Sequence, residues 1–147
     1  MKAILLIHGP NLNLLGKRDA AHYGGATLED IEALVKSESE QLGYAMKAFQ
    51  SNHEGALIDF LQKESPNAAG IIINPGALTH YSYALHDAIA DAGLPAVEVH
   101  LSDINSREDW RKISVIAPAC VAQVRGKKEE GYREAVGMLH SHLSKKT

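Results

Sequence analysis

Short apolar runs alternate with longer amphipathic segments along the chain. Ala3-Ile4-Leu5-Leu6-Ile7 is unbroken, the pattern of a strand buried on both faces. A polar, glycine-bounded loop is expected from Gly9 to Gly25. Thr27, with Asp30 three residues on, has the form of a capping box that opens a helix. Leu28, Ile31, Leu34, Val35 and Leu42 fall on one face of it, and Gly43 stops it. Tyr44 to Gln50 reads as a second strand. Gly55 to Glu64 reads as a helix with Leu57, Phe60 and Leu61 inward and Pro66 beyond its end. Gly70 to Asn74 is a third strand closed by Pro75-Gly76, followed by a helix from about Ser82 to Ala92 that Gly93 and Pro95 end. Val97-Glu98-Val99 belongs to a fourth strand, Trp110 to a short helical turn near Arg107 to Ile113, and Val121 to Val124 to a fifth strand. Tyr132, Ala135, Val136, Leu139 and Leu143 recur at helical spacing in a last helix.

Five strands alternating with helices predict an α/β fold: a three-layer sandwich whose parallel sheet is covered on both faces. The flavodoxin-like strand order 2-1-3-4-5 fits this count, and ligands in such sheets bind beyond the carboxyl ends of the strands. No internal repeat or linker interrupts the pattern, so residues 1–147 are expected to form a single catalytic domain.

Composition narrows the partners. The chain is 45% hydrophobic and 22% charged, which suits a globular core, but only 5% aromatic, so aliphatic side chains must supply the packing. A formal charge of −3 without a basic stripe argues against nucleic acid and anionic membranes. One cysteine, Cys120, excludes an intrachain disulfide framework and suits a reducing compartment. The apolar run at the start is too short for a signal segment or a membrane span, and a cytoplasmic location is expected.

Ionisable and amide side chains concentrate at three strand ends: His8 to Arg18 after the first strand, Asn74 to His80 after the third, and Glu98 to Ser102 with Arg107 and Arg111 after the fourth. Three polar clusters on one rim point to a site. Taken singly, Asn11 and Asn74 suit turns beside proline and glycine, His80 could cap the helix that follows, and Arg107 and Arg111, four apart on one helical face, suit a solvated pair. Glu98 and His100, two apart on a strand, point to the same side. A carboxylate that orients an imidazole is a recurrent catalytic device. The segment of about 17–25 holds Arg18, His22 and Tyr23 between glycines, so it reads either as a surface loop or as a lid that carries Tyr23 to the cleft.

The runs His8-Gly9-Pro10-Asn11-Leu12-Asn13-Leu14-Leu15-Gly16 with Arg18 and Tyr23-Gly24, Gln50-Ser51-Asn52-His53-Glu54-Gly55, Ile72-Ile73-Asn74-Pro75-Gly76-Ala77 with Thr79-His80, Val97-Glu98-Val99-His100-Leu101-Ser102 with Arg107-Glu108, and Gly131-Tyr132 resemble, in order, the signatures of the type II 3-dehydroquinate dehydratases. The resemblance implies loss of water from 3-dehydroquinate to give 3-dehydroshikimate. It implies that Tyr23 is the base that takes the proton from carbon 2, with Arg18 and Arg107 favouring its phenolate. Asn11 would hold a water against the developing enolate oxygen. His100 would protonate the leaving hydroxyl, oriented by Glu98. Leu101 and Ser102 would bind the substrate carboxylate, and Asn74, His80 and Arg111 the ring hydroxyls and the leaving group. No metal, Schiff-base lysine or nucleotide cofactor is implied. Trimers, usually four in a dodecamer, are implied, with Asp87 reaching a neighbouring subunit's site.

The chain departs from the usual pattern at several positions. Asp19-Ala20 stands where glutamate-proline is common, Tyr81 and Tyr83 replace smaller residues, and His86 stands where arginine is common. Asp103-Ile104-Asn105 replaces an asparagine-led stretch, and Lys128 occupies a position usually given to glycine. Other occupants of such a sheet fit less well. A flavin carrier needs a serine- and glycine-rich phosphate loop where Pro10-Asn11-Leu12 stands, and a phospho-receiver needs an aspartate where Asn74 stands. His53-Glu54 begins like a zinc helix motif, but Leu57 occupies the second ligand position. Ser102 and His100 lack a nucleophile elbow. A catalytically dead binding subunit is expected to lack Tyr23, Arg18 or His100, and all three are present.

Overall fold

The computed structural model describes residues 1–17 and 25–145. The apolar runs become strands β1 (Ala3–His8), β2 (Ala45–Gln50), β3 (Ala68–Asn74), β4 (Ala96–His100) and β5 (Ala122–Arg125). All four pairings are parallel, and the order is β2-β1-β3-β4-β5, as the alternation of strands and helices predicts. Among the described residues, three α-helices lie between successive strands, α1 (Leu28–Gln41), α2 (Glu54–Glu64) and α3 (Tyr83–Ala92), three 3-10 turns lie between β4 and β5, and α4 (Glu130–Ser144) follows β5.

The two-residue period of the strands divides the core. Ile4, Leu6, Ile72, Val97 and Val99 pack on one face with Ile31 and Val35 of α1 and Tyr132, Ala135, Val136 and Leu139 of α4. Leu5, Ile7, Ile71 and Ile73 pack on the other with Leu57 and Leu61 of α2 and Leu85 and Ile89 of α3. Central strands buried on both sides explain why their sequences are continuous rather than alternating. Phe60 is half-buried and stacks on Phe49 with ring centroids 4.7 Å apart.

Thr27 and Asp30 form the reciprocal capping box at the start of α1. Leu42 corrects one expectation, since α1 ends before it and it lies 38% exposed. The loop that begins at Gly9 is less irregular than its composition suggests. Leu12–Leu14 form a 3-10 turn, and Leu12 and Leu15 are buried in the core, which pins the loop beside the end of β1. Arg107 and Arg111 do not share a helical face. Arg107 is extended between two 3-10 turns, Ile104–Ser106 and Asp109–Arg111, and Trp110 lies in the second. No described helix is long and apolar enough to cross a membrane.

Candidate active site

The loops after β1 and β3 lock together. Gly9 donates its N–H to the Asn74 carbonyl at 2.8 Å, and Gly76, at φ +61°, packs on Pro10. A Cβ on Gly9 would stand 2.3 Å from the Pro75 carbonyl oxygen, and one on Gly76 would stand 2.9 Å from that of Pro10. The mirrored Gly9-Pro10 and Pro75-Gly76 pairs thus permit a backbone approach that no side chain allows. This contact forms one wall of a cleft at the carboxyl edge of the sheet. Asn11, Asn74, His80, His100, Leu101, Ser102, Arg107 and Arg111 all line it.

Asn11 sits in the left-handed region at φ 71°, a conformation asparagine tolerates. Its side chain caps nothing in the following turn, which leaves it to the cleft. Its N–H is held by Asn52 Oδ1 at 2.9 Å, and Gln50 Nε2 donates to the same oxygen and to the Gly9 carbonyl, each at 3.2 Å. Gln50 and Asn52 are therefore supports of the site that spacing alone did not assign. Asn74 behaves partly as the turn residue its sequence context suggests. Its Oδ1 accepts from the Gly76 N–H at 3.1 Å, while its Nδ2 donates to the Tyr132 hydroxyl at 3.3 Å. Tyr132 is fully buried, and burial pushes its phenol up to about 12, so it cannot serve as a base near neutrality.

Strand alternation turns Glu98 and His100 away from Val97 and Val99 to one side of β4. Glu98 has no exposed surface. Its carboxylate accepts from Thr79 Oγ1, from Ser114 Oγ at 2.8 and 2.9 Å, and from His100 Nε2. Burial pushes this carboxyl up, but the bonds and charge from His100, with Thr79 and Ser114, outweigh it and hold the group below its ordinary range. A carboxylate only accepts, so Nε2 of His100 carries a hydrogen and Nδ1 is the ring atom left to meet a ligand. His100 is 6% exposed, on the cleft wall.

His80 is fixed from the opposite direction. Its Nδ1 lies 2.7 Å from the Ile113 carbonyl, which can only accept, so Nδ1 bears the hydrogen. Desolvation, opposed by the Ile113 bond and reinforced by His100 and Arg111, keeps His80 below its ordinary value. The neutral ring then presents Nε2 as an acceptor. The ring meets Trp110 edge-on at 5.3 Å, and the Arg111 guanidinium lies 4.0 Å from the Trp110 centroid and bonds Glu108. The carbonyls of Leu101 and Ser102 accept from Lys128 and Gly126. In a trans peptide the next N–H points the opposite way, so the Ser102 N–H is directed away from the loop after β5.

Not every expected residue meets in the cleft. Asp87 lies on α3, 76% exposed by side chain and 3.1 Å from His86 Nδ1, and it does not line the cleft. Glu98 stands behind His100 rather than on the wall. Arg18 and Tyr23, with most of the lid expected at about 17–25, lie outside the described residues.

Fold and cleft together define a doubly wound α/β enzyme whose histidines, each with one ring nitrogen fixed, face a small polar site. A family model described as dehydroquinase class II matches residues 2–140. A 3-dehydroquinate dehydratase of Bacillus cytotoxicus is 50% identical over 143 residues, 97% of this chain and 98% of that relative. One from Roseiflexus castenholzii is 52% identical over 136 residues, 92% of this chain and 87% of that relative. The crystal structure of a type II dehydroquinase from Butyrivibrio crossotus aligns with a TM-score of 0.90 at 44% identity, covering 94% of this chain and 97% of that one. The chain belongs to the dehydroquinase class II family.

Proposed function

We propose that the chain eliminates water from 3-dehydroquinate to give 3-dehydroshikimate, by anti elimination through an enolate, with His100 as the general acid. The observation that carries this reading is the buried Glu98–His100 pair opening on a polar cleft in a chain of this family. The bond from Nε2 to Glu98 fixes the His100 ring and leaves Nδ1 toward the cleft, where it can deliver a proton to a leaving hydroxyl. Tyr23 removes the carbon 2 proton, and Arg18 and Arg107 favour its phenolate. An ordinary tyrosine ionises near about 10, so it needs such help. Asn11 holds the water that donates to the enolate oxygen, where charge develops in the transition state.

The remaining wall suits a hydroxylated carboxylic acid. Leu101 and Ser102 take the carboxylate through backbone N–H groups and the serine hydroxyl. Asn74, His80 and Arg111 hold the hydroxyls, and the acceptor Nε2 of His80 matches a hydroxyl donor. The proposed assembly is a trimer-based homo-oligomer, a dodecamer, in which Asp87 reaches a neighbour's cleft. The exposure of Tyr81 (63%) and Tyr83 (69%) beside it supports a contact there. A cytoplasmic location accords with the free thiol of Cys120. The same reaction serves aromatic biosynthesis through the shikimate pathway or quinate breakdown.

The test is direct. Metal-stripped protein is mixed with 3-dehydroquinate, and the ultraviolet absorbance of the conjugated enone is followed. A rise that survives chelator and borohydride supports this chemistry and excludes metal and Schiff-base routes. No rise from folded protein overturns the reading in favour of a binding subunit.

A further inference from the structure

The segment Ile113–Val115 touches both histidine systems at once. The Ile113 carbonyl fixes His80, the Ser114 hydroxyl meets both oxygens of Glu98, and the Val115 N–H donates to the Thr79 carbonyl at 2.7 Å. The Ser114 oxygen also accepts from the N–H groups of Ile116 and Ala117, at 3.2 and 3.0 Å. These two donors orient the hydroxyl, leaving its hydrogen for the carboxylate. Thr79, fully buried, approaches Glu98 from the other side and lies 2.8 Å from Ser114.

We propose that Ser114, seconded by Thr79, is a positioning residue for the proton of the Glu98–His100 pair: its hydroxyl keeps the carboxyl ionised, so that the proton the pair shares resides on His100. The turnover readout below rests on the dehydratase reading; the spectroscopic one does not. The pair can hold one proton on His100 or on Glu98, and only the first form is an acid toward the cleft. Loss of a hydroxyl donor destabilises the ionised carboxyl wherever it occurs. It makes the protonation of Glu98 easier. The acidic limb of turnover moves up in pH. A hydrogen bond to a charged group is strong enough to shift that limb by about one pH unit.

Among the described residues, the other ionisable groups facing Glu98 are His80, from the turn after β3, and Cys120, after the 117–119 turn; Arg111 acts on His80. Burial and the Glu98 charge push the Cys120 thiol up to about 12, so it stays neutral throughout the range tested. His80 rests on Ile113, next to Ser114, and feels the Glu98 charge, so its own titration is followed by NMR in each variant beside that of the carboxyl.

The experiment compares Ser114→Ala, Ser114→Thr and the near-isosteric Thr79→Val. The pH profiles of kcat and KM are measured, along with the titration of the Glu98 carboxyl carbon by NMR. The expected result is an upward shift of about one unit in both the acidic limb and the carboxyl midpoint for Ser114→Ala, with KM little changed, and recovery in Ser114→Thr. Should Ser114→Ala fail to fold, Thr79→Val carries the same expectation. A lowered melting temperature with an unmoved carboxyl midpoint would mean that Ser114 only caps the turn, and overturns the proposal. A shifted midpoint in protein that turns over no substrate sustains the proposal and sinks the dehydratase reading alone.

Discussion

Replacing Gly9 with alanine tests the structural basis of the cleft. The new Cβ would lie 2.3 Å from the Pro75 oxygen and 2.5 Å from its carbonyl carbon, where ordinary contact begins at 3.4 Å. Both sides of the clash are backbone, so no side chain can swing away, and the two loops must part by about 1 Å. That movement stretches the 2.8 Å bond from the Gly9 N–H to the Asn74 carbonyl. Overpacking of this kind costs about 1–3 kcal/mol and a lost hydrogen bond about 1 kcal/mol, together roughly 2–4 kcal/mol. For a chain of 147 residues 1 kcal/mol corresponds to roughly 3 °C, so the melting temperature should fall by about 6–12 °C. The same parting displaces Asn11 and Asn74, and a 1 Å misplacement lowers kcat by roughly 100-fold. Gly137→Ala is the control: an exposed site inside α4 with nothing within 4 Å of the added Cβ. It should gain about 0.5–1 kcal/mol from restricted backbone freedom. Calorimetry on the pair, with turnover measured on the same samples, decides. A Gly9→Ala protein that melts within 2 °C of the parent, a threshold of about 0.6 kcal/mol, would refute the reasoning.

Two further predictions concern stability. Lys128 stands at φ 52°, a left-handed conformation that strains any residue with a Cβ by about 1–2 kcal/mol. Lys128→Gly should stabilise the protein by about 0.5–1 kcal/mol in urea unfolding, after the extra freedom of glycine in the unfolded chain is subtracted; no gain would remove strain from the account. His8 is buried, with neither ring nitrogen hydrogen-bonded among the described residues, and burial lowers its pKa to about 4 despite the Glu32 carboxylate 3.5 Å away. The unfolded chain then binds a proton that the folded one refuses, so stability falls as pH drops from about 6.5 to 4, by up to about 3 kcal/mol. His8→Asn should flatten this slope in urea midpoints measured across the window, and an unchanged slope would assign the acid loss to other groups.

Much of the fold was legible because its rules are local. Continuous apolar runs such as Ile71-Ile72-Ile73 mark strands buried on both faces, and helices between them force parallel order. The Thr27–Asp30 box is likewise a three-residue rule. The pairing of Glu98 with His100 followed from the two-residue period of a strand. What stayed hidden depends on contacts distant in sequence. Ser114 meets Glu98 across 16 positions and Thr79 across 35, and no spacing announces either. The bond from Asn74 to Tyr132 spans 58 positions. The mirrored Gly9-Pro10 and Pro75-Gly76 pairs were visible as turn signals, but their mutual contact needed the β1–β3 register, which sets His8 beside Asn74. The periodicity that placed Arg107 and Arg111 on one helical face failed because two short 3-10 turns stand there in place of a helix.

The most direct test of the central claim is the turnover of His100→Ala on 3-dehydroquinate. A general acid contributes about 100- to 10,000-fold, so kcat should fall by that factor while KM stays near the parent value. Near-normal turnover in the folded variant would contradict the assignment of His100 as the proton donor, and with it the reading of the Glu98–His100 pair as the heart of the site.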